Sequence, residues 1–219
     1  FKIHPMPRYS ATFRASFDSV DSLMKCCMDL NILKLNPWSM DFSHVPGAGG
    51  GFNLAMEFAG FRAAVEKQVS ETAALVLKKG GKKPEVLEHA EAAVFWKKTR
   101  DFGRKTRQVA CRISVLPSRL GALLKTLLEN PPDSPVEIAG RAGNGVVWCF
   151  SDNPALVETA GRAAKSRGGF MVVEKCSLSV KEKIDVWGTT GGTLQIMRKI
   201  KHEFDPAGIF NPGRFAGRI

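Results

Sequence analysis

Apolar and polar residues alternate with a period of two from Ser10 to Phe17, the pattern of a half-buried strand. Asp18-Ser19 then supplies a helix cap, and Val20, Leu23, Met24 and Cys27 follow at helical spacing. Asn36-Pro37 ends that helix. Two further strands are predicted at Trp38–Val45 and Phe52–Phe58, joined by Gly47-Ala48-Gly49-Gly50-Gly51, and a second helix over Ala64–Lys78. A glycine loop that cradles phosphate opens a helix; this one precedes a strand pattern, so it reads as a hairpin turn. Lys82–Phe102 is charged, with Val86, Ala90, Val94 and Lys97 at similar phase, and is predicted as a helix connecting two halves.

The second half repeats the first. Strand Gln108–Leu116 and helix Arg119–Leu128 come before a Pro131-Pro132-Asp133 breaker. Strands Val136–Ala139 and Val146–Phe150 flank the turn Gly143-Asn144-Gly145, and Asn153-Pro154 caps a helix running to Ala164. Gly168-Gly169 then leads into strand Phe170–Glu174. The order β-α-β-β-α-β is the split βαβ, or ferredoxin-like, unit. The predicted class is therefore α+β: a duplicated ferredoxin-like antiparallel sheet with helices on one face, plus a C-terminal helix and tail. The expected divisions are residues 1–80 (first half), 81–105 (connecting helix), 106–177 (second half) and 178–219 (helix and tail). Phe1 to Pro7 read as a linker arriving from a preceding domain.

The net charge of +11 raises a nucleic-acid reading, but the 32 Lys and Arg residues are dispersed. The longest basic stretch, Lys78-Lys79 and Lys82-Lys83, flanks Gly80-Gly81, and no RNA-binding aromatic motif is present, so nucleic acid is not expected. No run of 18 apolar residues exists, so no membrane insertion is expected. Five cysteines without a Cys-x-x-Cys spacing fit buried thiols in a reducing, cytoplasmic compartment. Four isolated histidines (His4, His44, His89, His202) give no metal-ligand spacing, so no metal site is expected.

The last 33 residues carry the chemistry. From Leu194 to Phe204 a short amphipathic helix places Met197, Ile200 and Phe204 on one face and Arg198, Lys199, Lys201 and His202 on the other. Asp205-Pro206 stops it, and Asn211-Pro212-Gly213 forms a turn that fixes Arg214. The string Lys201-His202-Glu203-Phe204-Asp205-Pro206-Ala207-Gly208-Ile209-Phe210-Asn211-Pro212-Gly213-Arg214-Phe215 resembles the C-terminal tail of FAD-linked oxidases of the vanillyl-alcohol oxidase type. Asp185-Val186-Trp187-Gly188 together with Cys111–Ser118 is similar to the FAD-binding subunit of bacterial glycolate oxidase.

The resemblance implies a cap domain that covers a flavin held mainly by an N-terminal domain outside this sequence. It implies FAD, bound non-covalently, and oxidation of a small 2-hydroxy acid. It further implies a second flavin subunit and an iron–sulfur subunit as partners, with the assembly peripheral at the inner membrane through them. Arg214 would place positive charge beside the flavin ring, with Asn211, Pro212 and Gly213 shaping the approach. Arg112, a cation in an apolar strand, is the second catalytic candidate, because a guanidinium there needs an anionic partner. Lys2 and Arg14 are candidates for the substrate carboxylate. The competing reading is a non-catalytic duplicated ferredoxin-like module that binds a ligand or a protein.

Overall fold

The structure is a computed structural model that describes residues 7–33, 35–47, 51–129, 131, 133–188 and 192–219. Strand β1 (Tyr9–Phe17), helix α1 (Val20–Ile32), strands β2 (Ser39–His44) and β3 (Phe52–Gly60), helix α2 (Arg62–Lys78) and strand β4 (Lys82–Glu88) make the first unit. Helix α3 (His89–Asp101) leads to the second: β5 (Val109–Ser114), α4 (Leu120–Glu129), β6 (Glu137–Arg141), β7 (Val146–Ser151), α5 (Leu156–Ser166) and β8 (Phe170–Lys175). A short α6 (Leu178–Lys181) and then α7 (Thr193–Phe204) close the chain.

All eight strands join one antiparallel sheet in the order β4-β1-β3-β2-β6-β7-β5-β8. Each half has the ferredoxin-like order, one running opposite to the other, and the halves meet edge to edge where Asp41 to His44 pair with Arg141 to Ile138. Strand alternation decides which face is covered. Phe13, Phe17, Phe42, Leu54, Met56, Ile113, Ile138, Val147 and Cys149 point to one side and are buried under α1, α2, α4 and α5. Helix α1 supplies Leu23, Cys26, Cys27 and Leu30, and α4 supplies Leu120, Leu123, Leu124 and Leu127 at three- and four-residue spacing. Ser19 caps α1 through its side chain, accepting from the Ser22 N–H at 3.2 Å. Four buried cysteines contribute as small apolar residues; burial pushes the Cys111 thiol up to about 12.

Two expectations are corrected. Residues 82–88 form a strand, not the first turns of a connecting helix. The open edge of β1 takes them as partners (Phe13 opposite Val86, Arg14 opposite Glu85), and Pro84 is tolerated because β4 is an edge strand. The first unit is therefore complete, and only α3 connects the halves. Nor are all helices on one face. Thr12 and Arg14 point away from the core, and α3 packs against them, so it lies on the opposite face of the sheet.

Candidate active site

The strand β4 turns into α3 at His89, whose φ of 47° is a left-handed conformation that reverses the chain over the sheet. Two contacts then pin α3: Trp96 Nε1 donates to Thr12 Oγ1 at 2.8 Å, and the Arg14 guanidinium lies 4.8 Å from the centre of the Phe95 ring. Between α3 and the sheet is a cleft of about 700 Å³. Its floor is made by Arg14, Asp41, Ser43, Asn53 and Ala55, and its far wall by Val94, Phe95 and Phe102. A smaller cleft of about 330 Å³ adjoins it, sharing Asp41, Thr99 and Ala139 and adding Trp96, Arg141 and Trp148.

Register places the polar floor residues in rows. Arg14 is opposite Ala55, Ala55 opposite Asp41, and Asp41 opposite Arg141, so one row across four strands reads Arg-Ala-Asp-Arg. The next row contains Ser16, Asn53, Ser43 and Ala139. Burial raises the Asp41 carboxyl above its usual range, against the opposing effects of a Ser39 hydrogen bond and the Arg141 charge. Glu57, on the neighbouring strand, is raised by burial and by the charge of Asp41.

The sequence candidates do not converge on one point. Arg14 lines the larger cleft and is held by Glu85 at 3.3 Å. Arg112 lies on the same face, but its Nε donates to Glu174 at 3.1 Å; Glu174 also accepts from Trp148 and pairs with Arg104. Its anionic partner is thus internal, and it lines neither cleft on this face. Five strand spacings separate β1 from β5, roughly 24 Å at about 4.8 Å each, so Arg14 and Arg112 cannot hold the same small anion. Lys2 lies outside the described residues.

Arg214 lies apart, in a groove of about 730 Å³ with Met197, Ile200, Phe204, Phe210 and Phe215. The loop before it is organised by Asp205, a buried carboxylate that accepts from the Ile209 and Phe210 N–H groups, each at 3.0 Å, and pairs with Lys201 at 2.5 Å. These bonds hold its carboxyl below the usual range, the Lys201 hydrogen bond first among them. Lys201 also donates to the Phe210 carbonyl at 2.6 Å. Asn211 takes a φ of 46° and Gly213 one of 71°, and the Arg214 N–H donates back to the Asn211 carbonyl. Trp187 ties this loop to the body by donating to the Arg214 carbonyl at 3.1 Å and packing edge-on against Phe215. Among the described residues the Arg214 guanidinium has no carboxylate partner. The apolar face of α7 is uncovered: the helix has no buried residue, and Ile196, Ile200 and Phe204 are exposed, as are Ile209 and Phe210 beyond it.

The segment that builds this loop, residues 158–215, matches the family described as FAD linked oxidases, C-terminal domain. Solved structures agree in fold along nearly the chain's whole length. Alkyldihydroxyacetonephosphate synthase superposes with a TM-score of 0.61 at 13% identity, covering 97% of this chain and 46% of that one. The 4-ethylphenol oxidase from Gulosibacter chungangensis gives 0.61 at 12% identity over 96% of this chain and 54% of its own. p-Cresol methylhydroxylase gives 0.53 at 16% identity over 98% and 54%. At these identities the likeness is one of fold, and the chain spans about half the length of these structures. No curated protein matches by sequence.

Three residues were not singled out by sequence reasoning: Asp41, Glu174 and Asp205. Asp205 carried a signal, since an Asp before Pro at a helix end commonly binds the next backbone N–H groups. Asp41 carried none; in Ser39-Met40-Asp41-Phe42 it reads as an outward-facing strand residue.

Proposed function

We propose that this domain is the cap of an FAD-dependent oxidoreductase that oxidises a small 2-hydroxy acid such as glycolate. Electrons would pass on to a second flavin subunit and an iron–sulfur subunit, on the cytoplasmic side of the inner membrane. The observation that carries the reading is the uncovered apolar face of α7 and its tail. Five large apolar side chains stand in solvent around a loop that is itself tightly hydrogen-bonded. Apolar surface of that extent on an ordered element is what a docking face against a further domain looks like. Among the described residues no helix is long and apolar enough to cross a membrane.

The residues fit a flavin at this face. A flat ring needs apolar walls with a fixed cation at its edge, and the Arg214 groove offers Phe210 and Phe215 beside a guanidinium that has no carboxylate partner among the described residues. Nothing lies within 4 Å of a side chain built on Gly213, so the turn leaves open space next to Arg214. FAD, when bound, supplies the two-electron acceptor. Asn211, Pro212, Gly213 and Arg214 would hold its ring edge, and Arg214 would stabilise negative charge that develops there. Arg14 lies over the half of the sheet far from the Arg214 loop, which is tied in beyond the edge of β8, so the substrate carboxylate is left to groups nearer the flavin; Arg112, neutralised by Glu174, serves the sheet. The test is anaerobic titration of the complete flavoprotein with a panel of 2-hydroxy acids. Flavin bleaching by at least one of them is expected, and no bleaching by any would refute the reading. The non-catalytic alternative predicts a complete protein that holds no flavin.

A further inference from the structure

We propose that Asp205, paired with Lys201, is the positioning residue for the flavin-facing cation: together they clamp the backbone at Ile209 and Phe210 and so fix where Arg214 points. This inference rests on the flavin site proposed above and names what in the chain holds its cation in place.

Apolar burial does not seat the Arg214 loop. Every residue from 206 to 215 is exposed, and the buried group next to this stretch is the Asp205 carboxylate that precedes it. A loop with so little buried surface keeps one conformation only through its hydrogen bonds and its turn residues. Three donors converge on Asp205. The Ile209 N–H meets one oxygen and the Phe210 N–H the other, each at 3.0 Å, and the Lys201 ammonium lies at 2.5 Å. Lys201 returns to the same point by donating to the Phe210 carbonyl at 2.6 Å. Phe210 is thus held by both its N–H and its C=O, immediately before the Asn211-Pro212-Gly213 turn. That turn is stiff in its own right: the Arg214 N–H donates back to the Asn211 carbonyl at 3.2 Å, and Pro212 fixes its own φ. On the far side Trp187 holds the Arg214 carbonyl. With both ends of the turn held, the direction of the Arg214 side chain follows from where Phe210 is clamped.

The position calls for a carboxylate. An ionised carboxylate has two oxygens that only accept, which suits three converging donors, whereas an amide would turn its NH2 group toward one of them. The Lys201 hydrogen bond, and after it the two backbone N–H groups, keep the Asp205 carboxyl below its usual range, so the clamp stays charged at neutral pH. Arg214 has no carboxylate partner among the described residues, so no ion pair of its own steers the guanidinium. Its placement therefore rests on the backbone, and a misplacement of about 1 Å can cost an oriented group as much as ~100-fold.

The experiment uses the complete flavoprotein with Asp205→Asn, Lys201→Met and Arg214→Met, and with each of the first two combined with the third. Two readouts need no turnover: the midpoint potential of the flavin, and the Kd for sulfite, whose addition to the oxidised ring leaves negative charge there. Arg214→Met should weaken sulfite binding by ~10- to 1000-fold, the effect of losing one electrostatic donor. With Arg214 intact, Asp205→Asn and Lys201→Met should each weaken it by ~2- to 30-fold, the reach of a residue that acts through others. The potential should fall by about 30 mV for each tenfold loss. In the Arg214→Met background neither substitution should change either readout further, because the effect passes through the guanidinium. A merely structural role would give the same loss in both backgrounds. That result, or an unchanged sulfite affinity in Asp205→Asn, overturns the inference while leaving the flavin site standing. If Asp205→Asn does not retain flavin, Lys201→Met carries the same comparison, since it leaves the carboxylate and its two backbone bonds in place. An Arg214→Met protein that binds sulfite as the wild type does overturns both.

Discussion

Phe204 is the last residue of α7 and is 80% exposed in this chain, so the docking reading can be tested at a single side chain. Burying a phenylalanine fully is worth about 1.5–3 kcal/mol. Four-fifths of that remains to be gained, so contact with a second domain would contribute about 1–2.5 kcal/mol at this position. Phe204→Ser removes it. In the isolated chain the substitution touches no buried contact, and stability should change by less than about 0.5 kcal/mol, or about 2 °C in Tm for a chain of this size. In the complete flavoprotein the same substitution should weaken domain docking by a factor of ~5 to 60 at about 1.4 kcal/mol per decade. The assay is paired urea unfolding, followed by tryptophan fluorescence in the isolated chain and by flavin fluorescence in the complete protein. A midpoint shift confined to the complete protein is expected. Equal shifts in the two, or no shift in either, would mean that the exposed face of α7 meets nothing, and the cap assignment would lose its main support.

Other substitutions probe the remaining parts. Arg214→Met in the complete flavoprotein should slow flavin reduction by ~10- to 1000-fold with little change in folding, and an unchanged rate in stopped flow would remove Arg214 from the flavin. Gly145→Ala should destabilise by at least about 1 kcal/mol, read as a fall in the thermal midpoint of the isolated chain. Gly145 has a φ of 71°, and an added Cβ would meet the Val115 carbonyl oxygen at 2.0 Å. Asp152 is held below the usual carboxylate range, chiefly by its hydrogen bond from Arg107. Its folded value lies below its unfolded one, so it adds stability above the ordinary carboxylate range and loses it as pH falls. Asp152→Asn should therefore flatten the acid limb of the melting-temperature profile, with little effect below that limb.

What could be read from the residues alone follows from how local each signal is. Ser10–Phe17 announces a strand because one face is buried and the other is not, and the period of two survives in the sequence. The tail announces itself because its turns are written in Pro, Gly and Asn, whose backbone preferences act within a few residues. Strand β4 was read as helix because its pairing partner, β1, lies some seventy positions upstream. Nothing in Lys82-Lys83-Pro84-Glu85 specifies a strand until the open edge of β1 is present to pair with it. Asp41 was silent for a related reason. Its exposure to water depends on α3, which reaches the sheet through Trp96 to Thr12 across 84 residues. Arg112 was correctly seen to need an anion, but whether that anion was substrate or protein depended on β8 lying next to β5.

The duplication itself explains why the two halves now do different work. Both units present an arginine at a comparable place on the open face, Arg14 on β1 and Arg112 on β5, each the first strand of its unit. In the second unit the guanidinium is closed off: Glu174 on the adjacent edge strand β8 takes it, and the same carboxylate engages Trp148 and Arg104. In the first unit the corresponding edge strand offers Glu85, which is more than half exposed and meets Arg14 at 3.3 Å. An exposed pair of this kind contributes little, on the order of 0–1 kcal/mol, so a ligand carboxylate can displace it at small cost. The difference traces to α3. As the link between units it packs mainly over the first half, making walls for the larger cleft there, and it does not cover Arg112 and Glu174, which satisfy one another. The open face of one unit thus holds a cleft and that of the other a brace.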